Sequence, residues 1–271
     1  MIRLGTRKSP LAMAQARAVA EALGAAGRVE TELVGIVTEG DRTAAGRLGE
    51  LGGKGIFIKA LDDALIAGRI DLAVHSAKDV PSRLAGGLAI AAIPAREDVA
   101  DLLVSRSGWT VHTLPDGARV GTSSLRRGAQ LGFFRSDVEI IPIRGNVETR
   151  LSKAAAASAV DAVLVAAAGV NRLGGVEAVV GKLGLKAERL DPAEFLPAPG
   201  QAALMLVARQ EDADRYGFLT DPDTATALRM ERALGAALGA DCSWPLGAWS
   251  RRDGDGRWVM EWKGKRNKQR V

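Results

Sequence analysis

Between Ile2 and Ala208, short runs of β-branched and apolar residues alternate with stretches of helical period, and this alternation leaves few folds open. Strands are predicted at Ile2–Leu4, Glu32–Thr38, Asp71–His75, Leu88–Ile93, Asp101–Val104, Arg119–Val120, Glu139–Ile143, Ala162–Val165 and Ala203–Ala208, and helices near 11–25, 56–67, 125–134, 147–157 and 222–238. Strands that take turns with helices build α/β sheets covered on both faces. One plan also occurs twice. RLGTRKSPLAMAQ (3–15) and RVGTSSLRRGAQ (119–130) each read as a strand, Gly-Thr, then Ser and Arg at the mouth of a helix. Two similar α/β domains facing each other are therefore expected. Their ligands belong at the carboxyl ends of the strands, in a cleft between the domains.

The 271 residues suit two or three domains. The segment 94–101 (PAREDVAD) reads as a crossing between domains, and 191–202 (DPAEFLPAPGQA), with three prolines and a glycine, as the return. Past about 216 the pattern changes to a helix, a loop holding Cys242 and two short strands at 246–251 and 257–262. The expected division is 1–94 with 196–215, then 95–195, then a small α+β domain over 216–271.

Composition narrows the class. No apolar run reaches the roughly 18–20 residues of a membrane span, and the N-terminus lacks the pattern of a signal peptide, so a cytoplasmic protein is expected. The net charge of +5 resides in the tail 263–271, which carries Lys263, Lys265, Arg266, Lys268 and Arg270 and no acid. A solvated tail accounts for it without nucleic acid. A single cysteine excludes a disulfide within the chain and a Cys-rich zinc site, and with two histidines besides, no metal is expected.

Five segments carry candidate chemistry. In IDLAVHSAKDVP (70–81) a buried strand ends in a polar loop with His75, Ser76, Lys78 and Asp79. Lys beside Asp at a strand end suits anion binding with proton handling, and an ordinary capped loop fits as well. In GTSSLRR (121–127), Ser123 and Ser124 precede a helix and Arg126 and Arg127 follow in its first turn. Positive charge there opposes the helix dipole, which points to a negative ligand; a solvated Arg pair is the other reading. IRGNVETRLSK (143–153) places Arg144 at a strand end and Arg150 after Asn146, a predicted N-cap. Arg7, Ser9 and Arg172 stand at comparable junctions. Arginines gathered there suit a ligand with several carboxylates. GELGGKGIFIKALDDAL (49–65) lacks P-loop spacing. It reads either as a loop before an amphipathic helix with Phe57 in the core, or as a lid whose Lys54 and Phe57 meet the ligand. In GADCSWPLG (239–247), Cys242 is either a small buried hydrophobe or an exposed, reactive thiol.

Taken together, GTRKSPLA, GGKGIFIKALDDAL, DLAVHSAKDVP, REDVADLLVS, VGTSSLRR, IRGNVETRLSK, AAAGVNRLG, LPAPGQAAL and CSWPLG resemble the porphobilinogen deaminase family, in the family's order and over residues 3 to about 250. The resemblance implies two α/β domains like those of periplasmic solute-binding proteins, flanking a cleft, and a third that presents the cysteine. It implies a dipyrromethane primer on Cys242 through a thioether, and four porphobilinogen units joined to it head to tail with loss of ammonia. The linear tetrapyrrole 1-hydroxymethylbilane is then released by hydrolysis. It assigns Asp79 and Lys78 to catalysis, and Lys78, Asp79, Ser123, Ser124, Arg126, Arg127, Arg144 and Arg150 to the primer. Arg7, Ser9, Phe57, Arg144, Arg150, Arg172 and Gln201 are assigned to substrate, and Lys54 and Phe57 to a lid. Small-molecule substrate, no nucleic acid, no membrane and a monomer are the implied partners and state.

The match frays at Glu50, where relatives carry a basic residue, and at Ala202, where Gly-Gln-Gly is usual. It frays also around Cys242, which is flanked by Asp241, Ser243 and Trp244. The third domain reads as short, with Trp249, Trp258 and Trp262 partly uncovered. A catalytically impaired member, or a polycarboxylate-binding protein with a truncated third domain, is the alternative.

Overall fold

The computed structural model describes residues 1–26, 30–36, 55–81, 83–156, 158–240 and 244–264, with backbone alone for 55–57. By its contacts the chain divides into two units. The first is Met1–Arg96 with Ala203–Thr226, and the second is Glu97–Ala202 with Ala227–Val271. The breaks fall at 96/97, 202/203 and 226/227.

The first unit is built on a five-stranded sheet. It holds β1 (Ile2–Arg7), β2 (Thr31–Ile36), β3 (Leu72–Ser76), β4 (Leu88–Ala92) and β10 (Leu204–Arg209) in the order β2-β1-β3-β10-β4. β1 runs parallel to both neighbours, and β10 antiparallel to β3 and β4. Helix α1 (Pro10–Ala25) starts where its sequence says it should. Ser9 is the N-cap, its Oγ accepting from the Ala12 N–H at 3.3 Å, and Pro10 opens the first turn. Its buried stripe, Gln15, Ala16, Val19 and Leu23, has helical spacing and packs with Leu4, Leu72, Val74 and Leu206. Helix α2 (Gly55–Ile66) leads into β3.

The second unit repeats this plan. β5 (Asp101–Ser105), β6 (Arg119–Gly121), β7 (Glu139–Ile141), β8 (Ala162–Ala166) and β9 (Lys186–Arg189) lie in the order β7-β6-β8-β5-β9. β6 is parallel to both neighbours, and β5 antiparallel to β8 and β9. The registers coincide. Leu4 pairs with Leu72 and Gly5 with Ala73, as Val120 pairs with Ala162 and Gly121 with Val163. Leu204 pairs with Ser76 as Asp101 pairs with Ala166. The repeated glycine has a steric cause: a Cβ on Gly5 would collide with the Ile70 side chain, and one on Gly121 would come within 2.9 Å of Ile143.

This register uncovers a second repeat that the sequence reading missed. IDLAVHSAKDV (70–80) matches VDAVLVAAAGV (160–170) position for position. The polar strand β9 was missed as well. It lies on the sheet edge, where its Lys and Glu need no burial.

Helices α3 (Leu125–Phe134), α4 (Val147–Ala156), α5 (Ala167–Arg172) and α6 (Val176–Val179) complete the second unit's α/β body. Helix α7 (Pro222–Ala237) runs across the 226/227 break. The hairpin of β11 (Gly247–Arg252) and β12 (Trp258–Lys263) belongs to the second unit. Within that unit, the buried Glu231 of α7 accepts from Gly200 N–H at 2.6 Å and from Ser250 N–H at 2.9 Å, and Ala248 N–H donates to the Pro197 carbonyl. Arg251 and Arg252 lie over the rings of Trp249 and Trp258, while Trp262 is exposed. No helix among the described residues is long and apolar enough to cross a membrane.

Candidate functional site

In the first unit, β3 delivers the chain into one 3-10 turn, Ala77–Asp79. Ala77 is buried and its N–H donates to the Ala203 carbonyl at 3.0 Å. Ser76 accepts from the Gln15 side chain at 3.1 Å. The turn is thereby anchored at its start, with Lys78 and Asp79 half-buried on it. His75, one register earlier, is buried with no partner for Nε2. Burial pushes its imidazole down to about 4, against the opposing field of Asp79, so it is neutral near pH 7. Arg7 closes β1, and Ser9 follows as the cap of α1; both are half-buried.

The matching strand end of the second unit shares the anchor but runs into helix α5 instead of a single 3-10 turn. Ala167 N–H donates to the Ala100 carbonyl at 3.0 Å, as Ala77 does to Ala203. The positions of His75, Ser76, Lys78 and Asp79 are taken there by Val165, Ala166, Ala168 and Gly169.

The arginines concentrate in the second unit. Ser124 caps α3, its Oγ accepting from Arg127 N–H, and Ser123 Oγ donates to the Ile143 carbonyl at 2.6 Å. Arg126 and Arg127 turn inward from the first turn, 4% and 6% exposed. The negative partner the helix dipole called for belongs to the chain itself. Asp101, the fully buried first residue of β5, takes Arg127 Nη2 on Oδ1 at 2.7 Å and Arg126 Nη2 near Oδ2 at 2.7 Å. The second contact is a close ion pair without hydrogen-bond alignment. Burial raises the Asp101 carboxyl, but the two guanidiniums outweigh it and hold it well below the carboxylate range. Gln201, placed by sequence reading on the substrate, is fully buried in this cluster. Its Nε2 donates to Asp101 Oδ1 and to the Val99 carbonyl, each at 2.8 Å.

Arg150 stands near this cluster on α4, whose cap is Asn146, Oδ1 accepting from Thr149 N–H at 2.8 Å. Its Nε donates to the Gly145 carbonyl, and burial together with the like charge of Arg127 pushes its guanidinium down. Arg144, one residue past Ile143, is exposed. Arg172 ends α5 with Nη2 on the Ala202 carbonyl at 2.6 Å, its guanidinium lowered by burial against the field of Glu97. Two guanidiniums, Arg126 and Arg127, thus share one carboxylate, and Arg150 lies near enough to Arg127 to feel its charge, a surplus that fits a group bearing carboxylates. Lys54, Glu50 and Cys242 lie outside the described residues, as does the Phe57 side chain. The two flanks of Cys242 are described: α7 terminates on Gly239 in the left-handed region, and Trp244 is half-buried.

A family model described as porphobilinogen deaminase, dipyromethane cofactor binding domain, matches residues 2–216. The porphobilinogen deaminase of Syntrophus aciditrophicus strain SB is 44% identical over 258 residues, covering 94% of this chain and 82% of its own length. That of Sorangium cellulosum strain So ce56 is 46% identical over 262 residues, covering 95% and 85%. Among solved structures, the periplasmic aliphatic sulphonate binding protein SsuA of Escherichia coli aligns at 16% identity with a TM-score of 0.46, over 89% of this chain and 75% of its own. With the family model spanning most of its length and relatives near 45% identity over nearly all of it, this chain belongs to the porphobilinogen deaminase family.

Proposed function

We propose that this chain is a hydroxymethylbilane synthase. It joins four porphobilinogen molecules head to tail on a dipyrromethane carried by Cys242, releases four ammonia, and then frees the linear tetrapyrrole by hydrolysis. The observation that carries the reading is the Lys78–Asp79 turn: β3 delivers a lysine and an aspartate, half-buried, at the carboxyl end of a buried strand, where the register-matched positions of the second unit carry Ala168 and Gly169.

The primer, when bound, would supply the free pyrrole carbon to which the first unit is joined, each later unit joining the one before it. The chain's own residues do the rest. Asp79, as a carboxylate, faces the positive charge that develops as the aminomethyl nitrogen leaves as ammonia, and lowers the barrier by preorganised electrostatics. It then accepts the proton shed by the pyrrole carbon at which the new carbon–carbon bond has formed. Lys78 neutralises a neighbouring carboxylate. Arg126, Arg127, Arg150 and Arg144, with Ser123 and Ser124, hold the acetate and propionate groups of the primer; Arg7, Ser9 and Arg172 hold those of the incoming unit. Gln201 acts from behind, through Arg126 and Asp101. Phe57 and Lys54 cover the reacting end, and residues 216–271 form the primer-carrying domain. The working protein is a cytoplasmic monomer that needs no nucleic acid.

Ammonia release measured against porphobilinogen consumption tests this. A one-to-one ratio supports the enzyme. Binding without ammonia supports a polycarboxylate-binding protein.

A further inference from the structure

The Asp101 cluster is expensive for the fold and unnecessary to it. Two guanidiniums and a carboxylate are withdrawn from water, and burial of such groups costs more than a packed apolar core. The first unit supplies the comparison. By strand register, Leu204 stands where Asp101 stands. Counted from the caps Ser9 and Ser124, Leu11 and Ala12 stand where Arg126 and Arg127 stand. The same architecture is therefore completed by Leu, Leu and Ala.

The cluster's bonds fix geometry. Arg127 gives Nε and Nη2 to Asp101 Oδ1, at 3.1 and 2.7 Å, and Nη1 to the Leu164 carbonyl at 3.1 Å. Arg126 gives Nη1 to the Leu196 carbonyl at 2.6 Å and Nη2 to Gln201 Oε1 at 3.4 Å, with Asp101 Oδ2 close by. Its buried Nε has no partner. Gln201 is itself anchored on the backbone at Val99. Both guanidinium planes are therefore set by one carboxylate, one amide and the Leu164 and Leu196 carbonyls, while one positive charge of the trio is left over.

We propose that Asp101, seconded by Gln201, is a positioning residue that holds the Arg126 and Arg127 forks at the first turn of α3 in the arrangement that grips primer carboxylates. This rests on the deaminase reading above. Asp101 touches no substrate; it acts through the arginines.

The test compares the parent chain with Asp101→Asn, Asp101→Glu and the triple variant Asp101→Leu, Arg126→Leu, Arg127→Ala, which installs the first unit's own residues. Thermal midpoint, intact mass after incubation with porphobilinogen, and kcat and KM from ammonia release are recorded for each. Asp101→Asn is expected to carry primer on a smaller fraction of chains and to lower kcat about tenfold, with KM within about threefold, because the arginines it positions hold the primer and not the incoming unit. Asp101→Glu is expected to recover the midpoint but not kcat, because its carboxylate arrives one methylene away. The triple variant is expected to fold with a midpoint no lower than the parent's and to carry no primer mass. Parent-like kcat and primer mass in Asp101→Asn overturns the proposal, and so does a triple variant that fails to fold, since the cluster is then a brace for the unit. A parent that releases no ammonia overturns the deaminase reading itself, and is told apart because that failure precedes any substitution.

Discussion

Arg3 grips Asp71 by its backbone N–H, Nε and Nη2, at 2.9, 3.0 and 2.7 Å, and Arg119 grips Asp161 by the same three atoms at 2.8, 3.2 and 2.9 Å. Each pair ties the start of a central strand to the residue just before its parallel neighbour. The hydrogen bond from Arg3, against a smaller cost of burial, holds the Asp71 carboxyl down at about 2. A carboxyl depressed on folding stabilises above its unfolded value, near 4, and that contribution is lost as pH falls toward 2. Asp71→Asn should lower the urea midpoint at pH 7, and parent and variant should converge by about pH 2. A constant gap across that range would contradict the assignment.

Lys78 and Asp79 are half-buried on their turn, which bounds what their substitution can cost the fold. Lys78→Ala and Asp79→Gly install the residues of the register-matched positions, Ala168 and Gly169. Each should leave the thermal midpoint within about 2 °C of the parent. Asp79→Gly should slow ammonia release by about 100-fold or more. Calorimetry and a steady-state ammonia assay read the two effects separately.

His75 is a stability cost that the second unit avoids with Val165. Its imidazole, near 4 when folded and about 6.5 when unfolded, must remain neutral to stay buried. The unfolded chain binds the proton first, so stability is full above about pH 6.5 and falls by about 3 kcal/mol as pH drops toward 4. His75→Val should remove most of that slope. Denaturant titrations at pH 7, 5.5 and 4.5 would reveal it.

Ala202 has φ of +70°, the left-handed region that an L side chain enters at a cost, and its carbonyl receives Arg172 and the Glu97 N–H. Ala202→Gly should raise stability by about 1 kcal/mol, net of the added freedom of the unfolded chain. An unchanged or lower urea midpoint would mean that the methyl's packing outweighs the backbone strain.

Much of this was legible in the sequence because it is local. Strand and helix periods, the caps Ser9, Ser124 and Asn146, and the RLGT–RVGT repeat each depend on neighbours within a few positions. Ala202 stood out from sequence alone as an odd residue between Gln201 and Ala203, and its φ supplies the reason. The IDLAVHSAKDV–VDAVLVAAAGV repeat was equally open to reading and was obscured because, Asp71 and Asp161 apart, its polar residues stand in one copy only. What depends on long-range pairing was not legible. Asp101, twenty-five residues upstream of Arg126, was not foreseen as a partner of Arg126 and Arg127, because nothing local reveals it. The charged first residue of an otherwise apolar strand, DLLVS, was the one available signal. Gln201 was placed on the substrate for the same reason, its partners being backbone carbonyls brought in by the fold.

The central claim is that Cys242 carries a primer of two linked pyrroles, to which porphobilinogen is added. Intact mass of the purified chain, before and after incubation with porphobilinogen and alongside Cys242→Ala, tests it most directly. The account predicts an excess of two pyrrole units on the parent, further increments of one unit as substrate is supplied, and neither on the variant. A parent that stays at its bare polypeptide mass after incubation, or a Cys242→Ala chain that gains the same increments, would contradict it.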